Sequence, residues 1–199
     1  VTSDTLIPRP DSETLVETAL KIMPEKTLNI IDLGTGTGCL LLSLLTERTN
    51  LKGVGIDISL DALAVAERNA KTLGVLERTK FSVGNWCIST TLIADGPFDV
   101  VISNPPYIPE WEIEGLAPDI RCFEPNHALN GGGDGLGAYR MISKALPELL
   151  SPGGYFFGEF GVGQGEDVSK IISSSGLRVE GFESDSGGYP RCIVAQMRN

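Results

Sequence analysis

The amino-acid sequence predicts an α/β fold, in which a mostly parallel sheet is covered by helices on both faces. Strand-like and helix-like segments alternate along the chain, which is typical of right-handed βαβ units. Val100, Val101 and Ile102 form an uninterrupted β-branched run, as expected for a strand buried on both faces of such a sheet. The unusual loops all follow predicted strands, and ligands of these sheets bind at the carboxyl ends of the strands.

Each element follows from a local pattern of apolar residues. Pro10 and Asp11 are helix-start signals, and the apolar spacing from Leu15 to Met23 predicts the first helix. Seven further segments are predicted as strands: 28–33, 52–57, 79–83, 98–103, 154–160, 177–183 and 191–197. Helical periodicity predicts the segments between them as helices: 39–48, 60–73, 137–150 and 164–174. The seven strands suffice for one continuous sheet.

The whole chain, residues 1–199, is predicted to form one domain. No linker rich in Pro, Gly or Ser divides it, and its length suits one well-buried core. The longest apolar stretch, residues 39–45, is far too short to span a bilayer, and no signal-peptide pattern opens the chain. We therefore expect a soluble protein that acts in the cytoplasm, or alternatively in a mitochondrial or plastid matrix, without a membrane partner.

The charge balance and the cysteines argue against two classes of site. The formal net charge is −10, whereas a nucleic-acid surface needs clustered Lys and Arg, so we expect no direct binding to nucleic acid. The four cysteines, Cys39, Cys87, Cys122 and Cys192, are dispersed without C-x-x-C pairs. No metal site is predicted.

The loop after the first strand, DLGTGTG at 32–38, is the first candidate binding element. It opens a helix, so its backbone amides face any ligand above the sheet, and Gly34, Gly36 and Gly38 permit close approach. A dinucleotide fingerprint needs G-x-G-x-x-G, but Cys39 stands where the third glycine would fall, so NAD is the weaker hypothesis. No G-K-[ST] sequence follows, which excludes a P-loop.

Two further residues, one at the end of the second strand and one after the third, complete a predicted nucleoside site. Asp57 ends the second strand, where a carboxylate can accept hydrogen bonds from both hydroxyls of a ribose. Trp86 follows the third strand and suits packing against a purine ring, although an ordinary core tryptophan is the alternative.

These motifs, together with NPPY at 104–107, resemble the class I S-adenosylmethionine-dependent methyltransferases, and more narrowly the HemK/PrmC family of release factor glutamine methyltransferases. The narrower resemblance includes LIPRPDSE at 6–13, EPNHALNGGGDGLGAYR at 124–140, LSPGGYFFGEFGVGQ at 150–164 and GGYPR at 187–191. It implies a Rossmann-like sheet with an antiparallel last strand, and a catalytic domain that uses S-adenosylmethionine. The implied partner is a peptide chain release factor, methylated on the glutamine amide of its Gly-Gly-Gln motif. The family's helical amino-terminal domain is expected to be absent from this chain.

The resemblance also assigns site residues. For the cofactor these are Gly34, Thr35, Gly36, Thr37, Gly38, Asp57, Trp86 and Asn104. For the acceptor they are Asn104, Pro105, Pro106 and Tyr107, of which Asn104, Pro105 and Tyr107 are expected to act in catalysis. Asp32 is expected either to contact the methionine end of the cofactor or to cap its strand, and a structural or surface role is expected for His127.

The NPPY segment suits an amide acceptor, whose nitrogen is a poor nucleophile because its lone pair is delocalised into the carbonyl. If the side-chain oxygen of Asn104 and the carbonyl of Pro105 each accept one N–H, the lone pair faces the methyl donor. Tyr107 can then pack against the flat acceptor group. A sulfonium donor leaves as a neutral group and needs no general base, so positioning carries the rate and can supply about 7 to 11 kcal/mol.

Three alternatives remain open at this point. A DNA or RNA amino-methyltransferase acting on an exocyclic base amine uses the same NPPY chemistry, although the acidic charge opposes it. A cofactor-binding module without catalysis is opposed by the intact NPPY, and an NAD-binding protein by the glycine spacing. For a protein target, the segment from Ile108 to Gly137, with Trp111 and Phe123, is the candidate docking surface.

Overall fold

The computed structural model describes residues 1–86 and 96–198, so Cys87 lies outside the described residues. Seven strands form one sheet in the order β3-β2-β1-β4-β5-β7-β6. The strands are β1 Leu28–Leu33, β2 Leu51–Asp57, β3 Thr79–Val83, β4 Phe98–Ser103, β5 Leu150–Glu159, β6 Arg178–Ser184 and β7 Pro190–Gln196. The neighbours from β3 to β5 pair in parallel, whereas β7 is antiparallel to both β5 and β6. The predicted seven-stranded fold with an antiparallel last strand is confirmed.

Within residues 1–86 and 96–198, five long helices lie between or before the strands. They are α1 Asp11–Ile22, α2 Cys39–Glu47, α3 Leu60–Thr72, α4 Gly137–Leu149 and α5 Gly165–Ser174. All five were predicted. Four short helical segments were not, because each is too short to show a helical period: Leu76–Arg78, Glu110–Gly115, Pro118–Arg121 and Asn126–Leu129.

The junction between α4 and β5 differs from the prediction. The helix was expected to run to 150 and the strand to begin at 154. Instead Leu150 is already extended, at φ −87° and ψ 136°, and it pairs with Phe98 of β4. The helix therefore passes directly into the sheet, and the register shifts between Phe98 and Val100.

The core consists of two layers, one on each face of the sheet. Ile30, Val100 and Phe157 pack on the face covered by α1 and α2. Ile31 and Val101, which follow Ile30 and Val100 in the sequence, pack on the face covered by α4 and α5. Successive side chains of a strand point to opposite faces, so the uninterrupted apolar runs fill both layers.

The strand order places a switch point beside β1. β2 lies on one side of β1 and β4 on the other, and Asp32 of β1 pairs in register with Ile102 of β4. Ser103 adds a bond across this boundary, because its hydroxyl donates to the Leu33 carbonyl at 2.6 Å. The glycine loop after β1 and NPPY after β4 therefore emerge side by side, where ligands of such sheets bind.

In the described part of the chain, no helix has both the length and the apolar character that a membrane crossing requires.

Candidate active site

A cleft lies above the carboxyl ends of β1, β2 and β4 and encloses about 840 Å³, counting the space at its open mouth. Seven of the eight predicted cofactor residues line it: Gly34, Thr35, Gly36, Thr37, Asp57, Trp86 and Asn104. Gly38 instead begins α2 at φ +80°, and a Cβ there would meet Leu42 at 2.9 Å. The structure thus gathers the glycine loop, the acid of β2 and the start of NPPY around one cavity.

The glycine loop is held open towards the cleft by backbone contacts with β2. The amides of Gly34 and Thr35 both donate to the Ile56 carbonyl, at 2.9 and 2.8 Å. Gly36 has φ +54°, and a Cβ built on it would meet nothing within 4 Å. The space beside Gly36 is therefore left for a ligand, and the positive φ explains why glycine is needed there.

Asp57 has a second role that the sequence analysis missed. Its Oδ2 accepts from the Gly36 amide at 2.8 Å and its Oδ1 from the Ser59 amide at 3.0 Å. The carboxylate thus holds the Gly36 amide and fixes the conformation of the glycine loop. Because each carboxylate oxygen has a further lone pair, Asp57 can still accept hydrogen bonds from a ribose.

Asp32 lies beneath the same loop, fully buried. Its Oδ2 accepts from the Thr35 hydroxyl at 2.7 Å, whereas its Oδ1 has no hydrogen-bond partner among the described residues. Burial raises the pKa of Asp32 to about 7, with Asp57 adding to the rise and the Thr35 bond opposing it. A buried acceptor of this kind fits a ligand that brings a donor or a positive charge.

Trp86 lies between the cleft and the core. Its indole lines the cleft, and it also packs against the core layer under α4 and α5. The indole nitrogen lies 3.5 Å from the position that a Cβ on Gly34 would take. The ring therefore stands against the glycine loop and forms an apolar wall of the cleft.

A second pocket adjoins the cleft at NPPY. Asn104 and Pro106 line both cavities, whereas Pro105, Tyr107 and Arg191 line the second one. All four predicted acceptor residues thus lie around this pocket. A group bound in it would meet a ligand of the cleft at Asn104.

A buried hydrogen-bond network supports Asn104 and Tyr107 of NPPY. The Nδ2 of Asn104 donates to the Ser12 hydroxyl at 3.0 Å, and that hydroxyl donates to Glu159 Oε2 at 2.6 Å. The Tyr107 hydroxyl donates to the other oxygen, Oε1, at 3.2 Å. Burial raises the pKa values of both Glu159 and Tyr107. Sequence reasoning did not identify Ser12 or Glu159, and the only signal was their place in the LIPRPDSE and GEFGVGQ segments.

The backbone after NPPY is fixed by a second set of contacts. Gln164 donates from Nε2 to the Tyr107 carbonyl at 2.8 Å and accepts from the Gly161 amide at 2.9 Å. Gly135, at φ +76°, passes so close that a Cβ on it would lie 2.4 Å from the same carbonyl. The glycine-rich loop thus packs directly on NPPY.

The outer wall of the site joins the start of the chain to the segment after NPPY. Arg9 donates from Nη2 to both oxygens of Glu124, at 2.7 and 2.9 Å. His127 lines the rim of the cleft, which agrees with a surface position. Trp111 and Phe123 are each 74% exposed, so large aromatic surface of the segment after NPPY faces solvent. Within residues 1–86 and 96–198, no three side chains group as a metal site.

Comparisons with known proteins agree with this geometry. A family described as "Methyltransferase domain" matches residues 24–174. A protein of Rhodospirillum rubrum named release factor glutamine methyltransferase is 45% identical over 98% of this chain and 59% of its own length. A protein of the same name from Cereibacter sphaeroides is 42% identical over 99% of this chain and 68% of its own length.

A solved structure shows the same fold. The methyltransferase from Pyrococcus furiosus superposes with a TM-score of 0.69 at 15% identity, covering 98% of this chain and 86% of that one. The chain spans about three fifths to two thirds of the length of the two curated relatives. The identity and coverage of the sequence relatives, together with the matching domain, show that the chain belongs to the release factor glutamine methyltransferase family.

Proposed function

We propose that this chain transfers a methyl group from S-adenosylmethionine to the side-chain amide nitrogen of a glutamine in a peptide chain release factor. The observation that carries this proposal is the position of Asn104, which lines both the cofactor cleft and the pocket formed by NPPY. The names of the sequence relatives support the substrate.

The residues of the cleft fit S-adenosylmethionine. Asp57 is placed to accept from the ribose hydroxyls, and Trp86 provides an apolar wall for the adenine. The open space beside Gly36 admits a ligand close to the backbone. Asp32 does not line the cleft, so contact of its unpaired Oδ1 with the ammonium group of the methionine end would require the loop above it to move. When bound, S-adenosylmethionine supplies a methyl group on a positively charged sulfur. Gly38, which does not line the cleft, is proposed only to shape the loop.

The acceptor residues act by orientation. Asn104 Oδ1 and the Pro105 carbonyl each accept one N–H of the glutamine amide, so that the nitrogen lone pair is directed towards the cleft. Tyr107 and Pro106 confine the flat amide group. Holding the nitrogen in line with the methyl group accounts for catalysis without an acid or base, since orientation alone can supply about 7 to 11 kcal/mol.

A protein acceptor fits the surface better than a nucleic acid does. The net charge of −10 opposes a phosphate backbone. Four residues of the segment from Ile108 to Gly137 line the second pocket, and the same segment exposes Trp111 and Phe123, which are residue types that anchor protein interfaces. We propose this segment as part of the docking surface. Since the named relatives are bacterial, we propose action in the cytoplasm, with an organelle matrix as the alternative.

The test is a methylation assay with the Rhodospirillum rubrum release factors as acceptors. The chain is incubated at high concentration with S-adenosylmethionine, and mass spectrometry locates any added methyl group. We expect one methyl group on the glutamine of the Gly-Gly-Gln motif, and none on a release factor in which alanine replaces that glutamine. Methylation of DNA or RNA instead would favour the amino-methyltransferase alternative, and no methylation of any acceptor would contradict the proposal.

A further inference from the structure

We propose that Ser12 and Glu159 are positioning residues that fix which way round the side-chain amide of Asn104 is held. This inference rests on the proposed function, because it concerns how Asn104 receives the acceptor. It gives Ser12, which also lines the cofactor cleft, and Glu159 a part in orienting the acceptor site.

An asparagine amide has two ends of opposite hydrogen-bonding character, and only its oxygen can accept an N–H from the acceptor. The end that faces the reaction therefore has to be specified by neighbours. Within the structure, Asn104 Nδ2 donates to Ser12 Oγ at 3.0 Å, which leaves Oδ1 as the end that can accept. If the amide were reversed, its NH₂ group would face the acceptor's own NH₂ group, and neither could bond the other.

The direction of the network follows from the carboxylate. An ionised Glu159 can only accept, so the Ser12 hydroxyl has to use its single proton to donate to Oε2, at 2.6 Å. The serine oxygen then offers only lone pairs to Asn104, and the amide has to present Nδ2 to it. The charge on Glu159 thus determines the orientation of a group that it does not touch.

The same carboxylate also holds the second acceptor residue. Oε1 accepts from the Tyr107 hydroxyl at 3.2 Å, so one buried side chain controls both Asn104 and Tyr107. Glu159 is 1% exposed and Ser12 is 5% exposed, so water does not readily replace either bond. The bonds cross from α1 to β5 and to the end of β4, which means that only the complete fold provides this arrangement.

The surroundings of Glu159 set its ionisation. Burial raises its pKa, whereas the Ser12 and Tyr107 bonds and the Arg191 charge lower it. The titratable and charged groups that face it come from five segments: Asp11, Cys39, Tyr107, Tyr139, Arg191 and Cys192. Protonation would let Glu159 donate to Ser12 and would remove the constraint on the amide. Activity should therefore fall at acidic pH in the wild type.

The experiment compares Ser12→Ala and Glu159→Gln with the wild type. Ser143→Ala is the matched control, because Ser143 is also a buried serine whose hydroxyl is bonded, to the Arg140 carbonyl in α4. Three quantities are measured: kcat and KM for release factor methylation over a pH series, the Kd for S-adenosylmethionine, and the side-chain amide NMR resonances of Asn104. The last are identified by their disappearance in Asn104→Asp.

We expect both variants to lower kcat at least tenfold while KM and the cofactor Kd change less than threefold. The Asn104 amide resonances should shift in both variants, and the acid-side fall in kcat should disappear in Glu159→Gln. The control should match the wild type in every quantity. A purely structural role would lower stability without moving the pH profile.

Two results would overturn the inference: a kcat within twofold of wild type in both variants, or unmoved Asn104 amide resonances. If Glu159→Gln does not fold, Ser12→Ala decides alone, since it removes one oxygen atom. If the wild type methylates no acceptor, the proposed function fails, and the resonances still decide whether the network orients Asn104.

Discussion

The two sides of the active site are built from contacts of very different range. On the cofactor side, Thr35 bonds Asp32 three residues away, and Gly36 bonds Asp57 across 21 residues. On the acceptor side, Asn104 bonds Ser12 across 92 residues, and Ser12 bonds Glu159 across 147. The glycine loop and its acid lie within a single βαβ unit, whereas the support of NPPY requires both ends of the domain.

Because of this difference, cofactor binding and catalysis depend on different parts of the structure. The cofactor loop is shaped by β1, α2 and β2, with one further bond from α3, where Asn69 Nδ2 donates to the Thr37 carbonyl at 2.9 Å, and its glycines and acid are close in sequence. NPPY depends on α1, on β5 and on the glycine-rich loop before α4, each of which is brought to it by the complete fold. A change on the acceptor side should therefore impair transfer while cofactor binding persists.

The largest expected effect is that of Asn104→Ala on transfer. Loss of the acceptor-orienting oxygen should lower kcat about 10²- to 10³-fold, as is typical when one preorganised hydrogen-bonding group is removed from a reacting centre. Cofactor affinity should fall much less, because the group matters most in the transition state. Single-turnover methylation and calorimetry measure the two quantities. Asn50→Ala is the control, because Asn50 lies just before β2 and its side-chain amide donates to the Lys26 carbonyl. Near-normal single-turnover transfer would remove Asn104 from the catalytic site.

The next effect tests the long-range support of NPPY through two neighbouring glycines. Gly135→Ala would force a side chain into a φ of +76° and to 2.4 Å from the Tyr107 carbonyl, and we expect a loss of at least about 2 kcal/mol in unfolding free energy. Gly133→Ala is the matched control, since a Cβ there meets nothing within 4 Å. Urea unfolding compares the two. Equal stability of the variants would show that the loop does not pack on NPPY as described.

Most of the fold could be predicted because its signals are local. The β-branched run of β4 and the helical spacing of α1 each indicate one element without knowledge of the rest. The α4–β5 junction was missed because Ser151-Pro152-Gly153 has the composition of a turn, whereas the strand already pairs with β4 at Leu150 and resumes at Tyr155 after a register shift. The short helices were missed because three to six residues carry no measurable period.

The same reasoning explains which site residues could be predicted. The glycine loop and Asp57 follow from spacing along the chain and from the position at strand ends. Ser12 and Glu159 could not be derived in that way, since nothing in the sequence indicates that residues 147 apart share a hydrogen bond. Gly38 illustrates the converse, because its motif suggests a ligand contact whereas its position serves the start of α2.

A smaller effect is expected on the cofactor side, from Asp57→Ala. Loss of a hydrogen-bonded charge should weaken S-adenosylmethionine binding by about 1.5 to 3 kcal/mol, or roughly tenfold to 150-fold in Kd. The lost bond to the Gly36 amide should add to this by loosening the loop. Asp61→Ala, an exposed acid in the first turn of α3, is the control. Calorimetry with S-adenosylmethionine measures both, and an unchanged affinity for Asp57→Ala would place the ribose elsewhere.

The smallest expected effect, measured per pH unit, is the slope of stability with pH that Asp32 produces. The folded protein holds its proton to about pH 7, against an ordinary value of 3.8, so the protonated acid stabilises the fold at low pH. This contribution is lost as the pH rises from about 4 to about 7, with a slope of at most about 1.4 kcal/mol per pH unit for one proton. Asp32→Asn removes the titrating group but keeps an oxygen for the Thr35 bond. Urea unfolding of both proteins from pH 4 to 8 should therefore show a stability difference that shifts in favour of the variant as the pH rises. If the stability difference between the two proteins does not change with pH, Asp32 is ionised over the whole range and the cofactor side holds no buried proton.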